Sequence, residues 1–250
     1  MINLIGSTIE HYQVLVKIRE TPTRVLYKAY STRSQTYVAL EVVKTAWLQP
    51  EPLLDLINEQ VRRNSNLTHP NIAIPLETGT HAGLIYIAYN FSPVQPLRRF
   101  FKRTYPWKEM AREFVSIAHA MVYAHENDVV HGALHPASIV LDDKRNPILF
   151  DFGLERLITK YILANAPGSW INRWGFEYRA LKQLSGSEPD KQGDIHSLGI
   201  MLHEWLIGRI PQLEPTILGT LQKRRSAPAR DRKEFANVPP VVRGMIHKCI

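Results

Sequence analysis

The feature that most constrains this chain is a change in hydrophobic period part-way along it. Over the first ninety residues, apolar and β-branched side chains recur at every second position in YQVLVKI, RVLYKAY and TYVALEVVK. Polar breaks separate these runs, which is the pattern of antiparallel strands. One interruption, PEPLLDLINEQVRRNSN from Pro50 to Asn66, sets Leu53, Leu54, Ile57 and Val61 at helical spacing. HPNIAIPLETG and GLIYIAYNF then return to strands. Beyond the proline-rich SPVQP the period lengthens. Met110, Phe114, Ile117, Met121 and Val122 share a face over residues 107–127, as do Ile195, Leu198, Met201, Leu202 and Trp205 over 195–206. Sheet and helices so segregated predict an α+β chain of two lobes. Residues 1–90 form a small β lobe with one helix, residues 91–250 form a larger helical lobe, and Ala88 to Pro96 is the hinge.

A chain of 250 residues with 44% hydrophobic content can bury a substantial core. Its one cysteine, Cys249, excludes a disulfide framework and a cysteine metal site, and fits a reducing, cytoplasmic setting. No apolar run is long enough for a transmembrane segment, and MINLIGSTIE lacks the order of a signal peptide. The formal charge of +8 suits acidic partners, or is simply a solvated basic surface. Basic residues gather at Arg98, Arg99, Lys102 and Arg103, and again in KRRSAPARDRK from Lys223 to Lys233, which reads as a loop. No aromatic residues interleave with them, so specific nucleic-acid binding is not expected.

Short motifs fall in order along this architecture: YVALEVVK, then HPNI at 69–72, HGALHPAS from His131, FDFG ending at Gly153, RALK, and DIHSLGIMLHEWLIGRIP. Together they resemble a protein kinase domain of the bacterial Ser/Thr kind, over nearly the whole chain. The resemblance implies a two-lobed fold with a nucleotide cleft between the lobes. It also implies that the sequence stops in the penultimate helix of the family, as a piece of a longer protein.

Residue by residue, the resemblance raises doubts about chemistry. Arg19, Thr21 and Arg24, with Pro22 among them, stand where three loop glycines would let backbone close over phosphates. Glu41 stands at the phosphate-binding lysine. A unit charge pair at about 4 Å and effective dielectric 20 is worth about 4 kcal/mol, so the sign change converts attraction into comparable repulsion. Lys44, three residues along the strand, faces the other way. Gln60 stands at the helix glutamate and could hydrogen-bond Glu41, whereas neighbouring Glu59 reads as solvated. In the loop, Gly132 replaces an arginine, Ala133 the base, His135 a lysine and Ser138 a metal-binding asparagine. Lys182 replaces the glutamate that pairs with a late arginine.

His131 and Asp194 are retained and read as architecture, His131 as a satisfied core residue. Asp151 is retained too, either as the Mg²⁺ ligand or as a turn residue before Gly153. Leu26, Ala39 and Val140 match the apolar residues that sandwich adenine, and Arg24 stands where it could reach a phosphate or lie exposed on a strand edge.

The expectation is a degenerate kinase, a pseudokinase that is not an enzyme and acts as a scaffold or allosteric module for protein partners. No cofactor is expected, with weak ATP binding, with or without Mg²⁺, as the alternative in a nucleotide switch. Two further readings are an unconventional weak kinase using Asp142 or Asp143, which otherwise form a turn in LDDKRN, and a binder of acidic polymers.

Overall fold

The computed structural model describes residues 3–44, 50–90, 94–101, 107–165, 175–226 and 238–250. Six antiparallel strands form the first lobe: β1 (Thr8–Ile9), β2 (Tyr12–Glu20), β3 (Arg24–Ser31), β4 (Thr36–Val43), β5 (Pro75–His81) and β6 (Leu84–Asn90), in the order β1-β2-β3-β4-β6-β5. Helix α1 (Pro50–Arg63) interrupts them and buries Leu53 and Ile57. The sheet is buried on both faces. One face packs Val25, Tyr27 and Ala29 against Val38, Leu40 and Val42; the other turns Leu26, Ala39 and Val43 toward the second lobe.

Strand alternation decides what lies on that second face. With Leu26 opposite Glu41 and Arg24 opposite Val43, the even residues of β3 and the odd residues of β4 point into the cleft. Register shifts in β2, between Val14 and Val16 and between Lys17 and Arg19, place Arg19 opposite Leu26 and so on the same face.

The second lobe contains α2 (Trp107–Glu126), α3 (Leu154–Asn165), α4 (Leu181–Leu184), α5 (Lys191–Ile207), α6 (Ile217–Ser226) and α7 (Pro240–Cys249), with a small sheet β7 (Val94–Pro96), β8 (Ile139–Asp142) and β9 (Pro147–Leu149). Helix α5 is buried nearly all round and is the centre of the lobe. Among the described residues, no helix is long and apolar enough to cross a membrane.

Several expectations need correction. In HPNIAIPLETG the strand starts only at Pro75. The preceding residues instead bond to β9, through Ala73 N–H to the Leu149 carbonyl and Leu149 N–H to that of Asn71, both at 2.8 Å. Val122 is 53% exposed, because a residue adjacent to buried Met121 lies about 100° around the helix. Helix α3 was not foreseen. Lys223, Arg224 and Arg225 form the last turn of α6 rather than a loop, where basic side chains complement the helix dipole. Residues 227–233 of that basic run, Lys102 and Arg103 of the other, and residues 91–93 of the hinge lie outside the described residues.

Candidate functional site

The cleft face holds a buried ion network. Arg24, which is 1% exposed, places Nη1 2.8 Å from Glu41 Oε2 and also against Asp151 Oδ1; its Nη2 lies 2.5 Å from Glu155 Oε2. Arg19 Nη2 lies 2.9 Å from Glu41 Oε1 and 3.5 Å from Asp151 Oδ2, and its guanidinium sits over the Phe150 ring at 5.6 Å. Thr23, in the β2–β3 turn, donates its hydroxyl to Glu155 at 3.1 Å. The network therefore joins β2, β3 and β4 of the first lobe to Asp151 and the first turn of α3 in the second.

Three carboxylates face two guanidiniums here, and the protonation states reflect that imbalance. Burial pushes Glu41 up to about 7 against the pull of Arg24 and Arg19. Burial would raise Asp151 too, but Arg24 and Arg19 hold it down to about 2. Arg24 loses hydration, yet Asp151, Glu41 and Glu155 keep it well above its ordinary value. Asp151 adopts φ +78°, a left-handed conformation that costs a non-glycine residue on the order of 1–3 kcal/mol unless its surroundings fix it. Backbone bonds hold the turn, from Leu154 N–H to the Asp151 carbonyl at 3.0 Å and from Gly153 N–H to the His131 carbonyl at 3.1 Å.

Each predicted residue can now be placed. Arg24 is neither exposed nor free for a phosphate, because three carboxylates occupy it. Glu41 is compensated by arginines rather than left repulsive. Gln60 does not bond Glu41. Its Nε2 donates to Asn64 at 3.2 Å, and its side chain packs on Gly153, where a Cβ would fall 2.7 Å from it. Glu59 pairs with Arg63 at the surface, as its solvated reading required. Lys44 leaves the cleft, donating to Glu20 at 2.6 Å and to the Thr21 carbonyl at 2.7 Å. Leu26, Ala39 and Val140 do come together, packed in one cluster with Tyr89 and Phe150, and none exceeds 2% exposure.

The loop from His131 is held from α5. Asp194 accepts from the backbone N–H groups of His131 and Gly132, each at 2.9 Å, and lies 2.9 Å from His125 Nε2. Gly132, at φ +78°, makes the turn a side chain would strain. His131 is buried against Phe152 at 4.9 Å, and burial lowers its pKa. His135 caps a short turn at Pro136–Ser138, where Ser138 Oγ donates to the His135 carbonyl at 2.7 Å. That hydroxyl is wholly buried and spent on the loop. Ala133 lines a separate pocket with Gly132. Lys182 meets Asp190 instead of a late arginine. Asp142 closes the β8–β9 turn by accepting from Asn146 N–H at 2.6 Å, the turn role expected of it.

The residues sequence reasoning missed are Thr23 and Glu155. The LERLITKYILAN periodicity of Leu154, Ile158 and Ile162 could have disclosed α3. Nothing local could have disclosed that Glu155 meets a side chain 131 positions away.

As folded, the described residues would hold ATP and Mg²⁺ only after Asp151 gives up its arginine partners. Both Asp151 oxygens are taken by arginines, Glu41 lies between the same two guanidiniums, and the adenine-matching residues present almost no accessible surface. Among the described residues, no cluster of three or more His, Cys, Asp or Glu side chains could hold a metal ion.

Comparison with known proteins places this geometry in a lineage. The family described as protein kinase domain matches residues 12–250. Serine/threonine-protein kinase pkn3 of Myxococcus xanthus is 25% identical over 258 residues, covering 98% of this chain and 47% of its own length. Serine/threonine-protein kinase PrkC of Bacillus subtilis is 26% identical over 249 residues, covering 98% and 38%. Serine/threonine-protein kinase PLK4 of Aedes aegypti is 23% identical over 226 residues, covering 87% and 28%. The chain spans less than half the length of each. These matches overturn the expectation that the chain is not an enzyme, because relatives aligned across most of it are named as kinases. Two-lobed fold, ordered motifs and matched residues lead to one statement: the chain belongs to the protein kinase domain family.

Proposed function

We propose that this kinase-family domain serves as a regulatory module, a scaffold or allosteric element for a protein partner, whose nucleotide cleft rests closed under its own ion network. The observation that carries the reading is the buried set Arg19, Arg24, Glu41, Asp151 and Glu155, which bridges the lobes through the space a triphosphate would need. Members of such a family transfer phosphate from bound ATP. Here the ATP-bound state lies behind the network, so control is exercised at nucleotide entry. Loss of either arginine would strand buried carboxylates at a cost of about 3–5 kcal/mol, so the set holds together as a unit. The division into residues 1–90 and 91–250 and a cytoplasmic setting belong to the same reading.

A nucleotide-gated form is favoured by one observation. Arg19 is buried, yet its Nε and Nη1 donate no hydrogen bond, and an entering phosphate would take both. A thermal-shift titration with ATP, with and without Mg²⁺, tests the proposal. A closed resting cleft predicts an unchanged melting temperature at millimolar nucleotide. A melting temperature that climbs with the logarithm of ATP concentration contradicts it and favours the gated form.

A further inference from the structure

A second pocket, of about 240 Å³, opens between α3, the loop at Gly132–Ala133 and the turn before α5. Its construction begins with Gly132. A Cβ there would lie 3.3 Å from Pro189 Cβ, a tight approach, and 3.5 Å from Arg156 Cδ, so Pro189 and Arg156 both pack directly over the loop backbone. Arg156 and Lys160, four residues apart on α3, share one helix face. Both reach Glu188: Arg156 by direct contact, Lys160 at 3.5 Å. Arg179 closes the wall, its pKa lowered by burial, and it also faces Glu155 and Glu177. Ala133 adds only a methyl group.

Among the described residues, the pocket wall thus carries three cations against one carboxylate. Discounting Arg179 for its outside partners still leaves Arg156 and Lys160 sharing Glu188. That glutamate is 66% exposed and its pairs are solvent-screened, so another anion can replace it at little cost.

We propose that this pocket docks an anionic side chain of a partner protein, a carboxylate or a phosphate monoester, and that Glu188 is the internal occupant it displaces. A phosphate monoester carries −1.5 to −2 charge at neutral pH, on general grounds, and so matches the two α3 cations better than a carboxylate does. The inference gives the proposed regulatory role a partner chemistry. Its test varies none of the cleft residues, so either idea can fail without the other.

Fluorescence anisotropy with the purified chain tests it, using one otherwise uncharged labelled peptide whose central residue is phosphoserine, glutamate or serine. The phosphoserine peptide is expected to bind roughly tenfold or more tighter than the serine peptide, with glutamate between, as one charge-assisted hydrogen bond would give. Arg156→Ala and Lys160→Ala should each weaken the phosphoserine peptide a few-fold, Glu188→Gln should tighten it, and all three surface variants should keep the parent melting temperature. Arg63→Ala, on an exposed face of α1, is the control and should change nothing. Equal binding of phosphoserine and serine peptides, an Arg63→Ala loss as large as that of Arg156→Ala, or no response to Glu188→Gln would overturn the proposal.

Discussion

Asp194 and Asp151 are both almost fully buried carboxylates of the helical lobe, and the protein holds them in opposite ways. Asp194, in the first turn of α5, is surrounded by donors from its own lobe: two backbone N–H groups and the His125 imidazole. The helix N-terminus adds a favourable dipole. Asp151 sits at a strained φ and depends on two arginines reaching across from the other lobe, which it shares with Glu41 and Glu155. One arrangement persists whatever the lobes do. The other exists only while they are closed, and its charges do not balance.

Breaking the crossed arrangement should have the largest effect. Arg24→Met leaves three buried carboxylates with Arg19 alone, a loss on the order of 3–5 kcal/mol. At roughly 2–4 °C per kcal/mol for a chain of this size, the melting temperature should fall by about 10 °C. A drop of a degree or two would mean that the network carries little of the interlobe energy. Asp194→Ala removes an acceptor from two buried N–H groups and should cost about 2–4 kcal/mol. That loss should appear in denaturant melts as a fall in midpoint at unchanged slope, because the loop framework weakens while the lobes stay closed.

Glu41 tells the two clusters apart by pH. Its folded value, about 7, is raised above the ordinary 4.5, so its contribution is complete below about 4.5 and declines as pH rises through 7. Glu41→Gln mimics the protonated side chain and removes that decline. The variant should match the parent near pH 5 and exceed it by about 1–3 kcal/mol near pH 8. Parallel stability curves for the two proteins across this range would remove Glu41 from the account. The smallest effect belongs to Lys182→Ala, whose pair with Asp190 is half-exposed and should be worth less than about 1 kcal/mol.

How much of this could be read in advance follows from distance along the chain. The β2, β3 and β4 strands and α1 come from local periodicity, and each matches its predicted run to within a few residues. The shared face of Arg24, Leu26, Ala39 and Glu41 follows from strand alternation, once β3 and β4 are paired by their short turn. What was not legible is compensation. Charge signs along the sequence show Glu41 as a penalty and Arg24 as a free cation. The β3–β4 register brings Arg24 against Glu41, and only the docking of α3 on the β2–β3 turn shows that Glu155 completes the set. Gln60 failed for a similar reason: its neighbour on the same helix, Asn64, lies closer than the strand opposite. Asp194 succeeded because its partners follow from the loop it anchors.

The central claim, that the ion network clamps α3 across the cleft, is tested most directly by amide hydrogen exchange over residues 154–165 in the parent chain and in Arg24→Met. Slow exchange in the parent, with a selective loss of protection in α3 and none in α5, is the predicted result. Fast exchange of α3 in the parent, or protection indifferent to Arg24, would contradict the clamp.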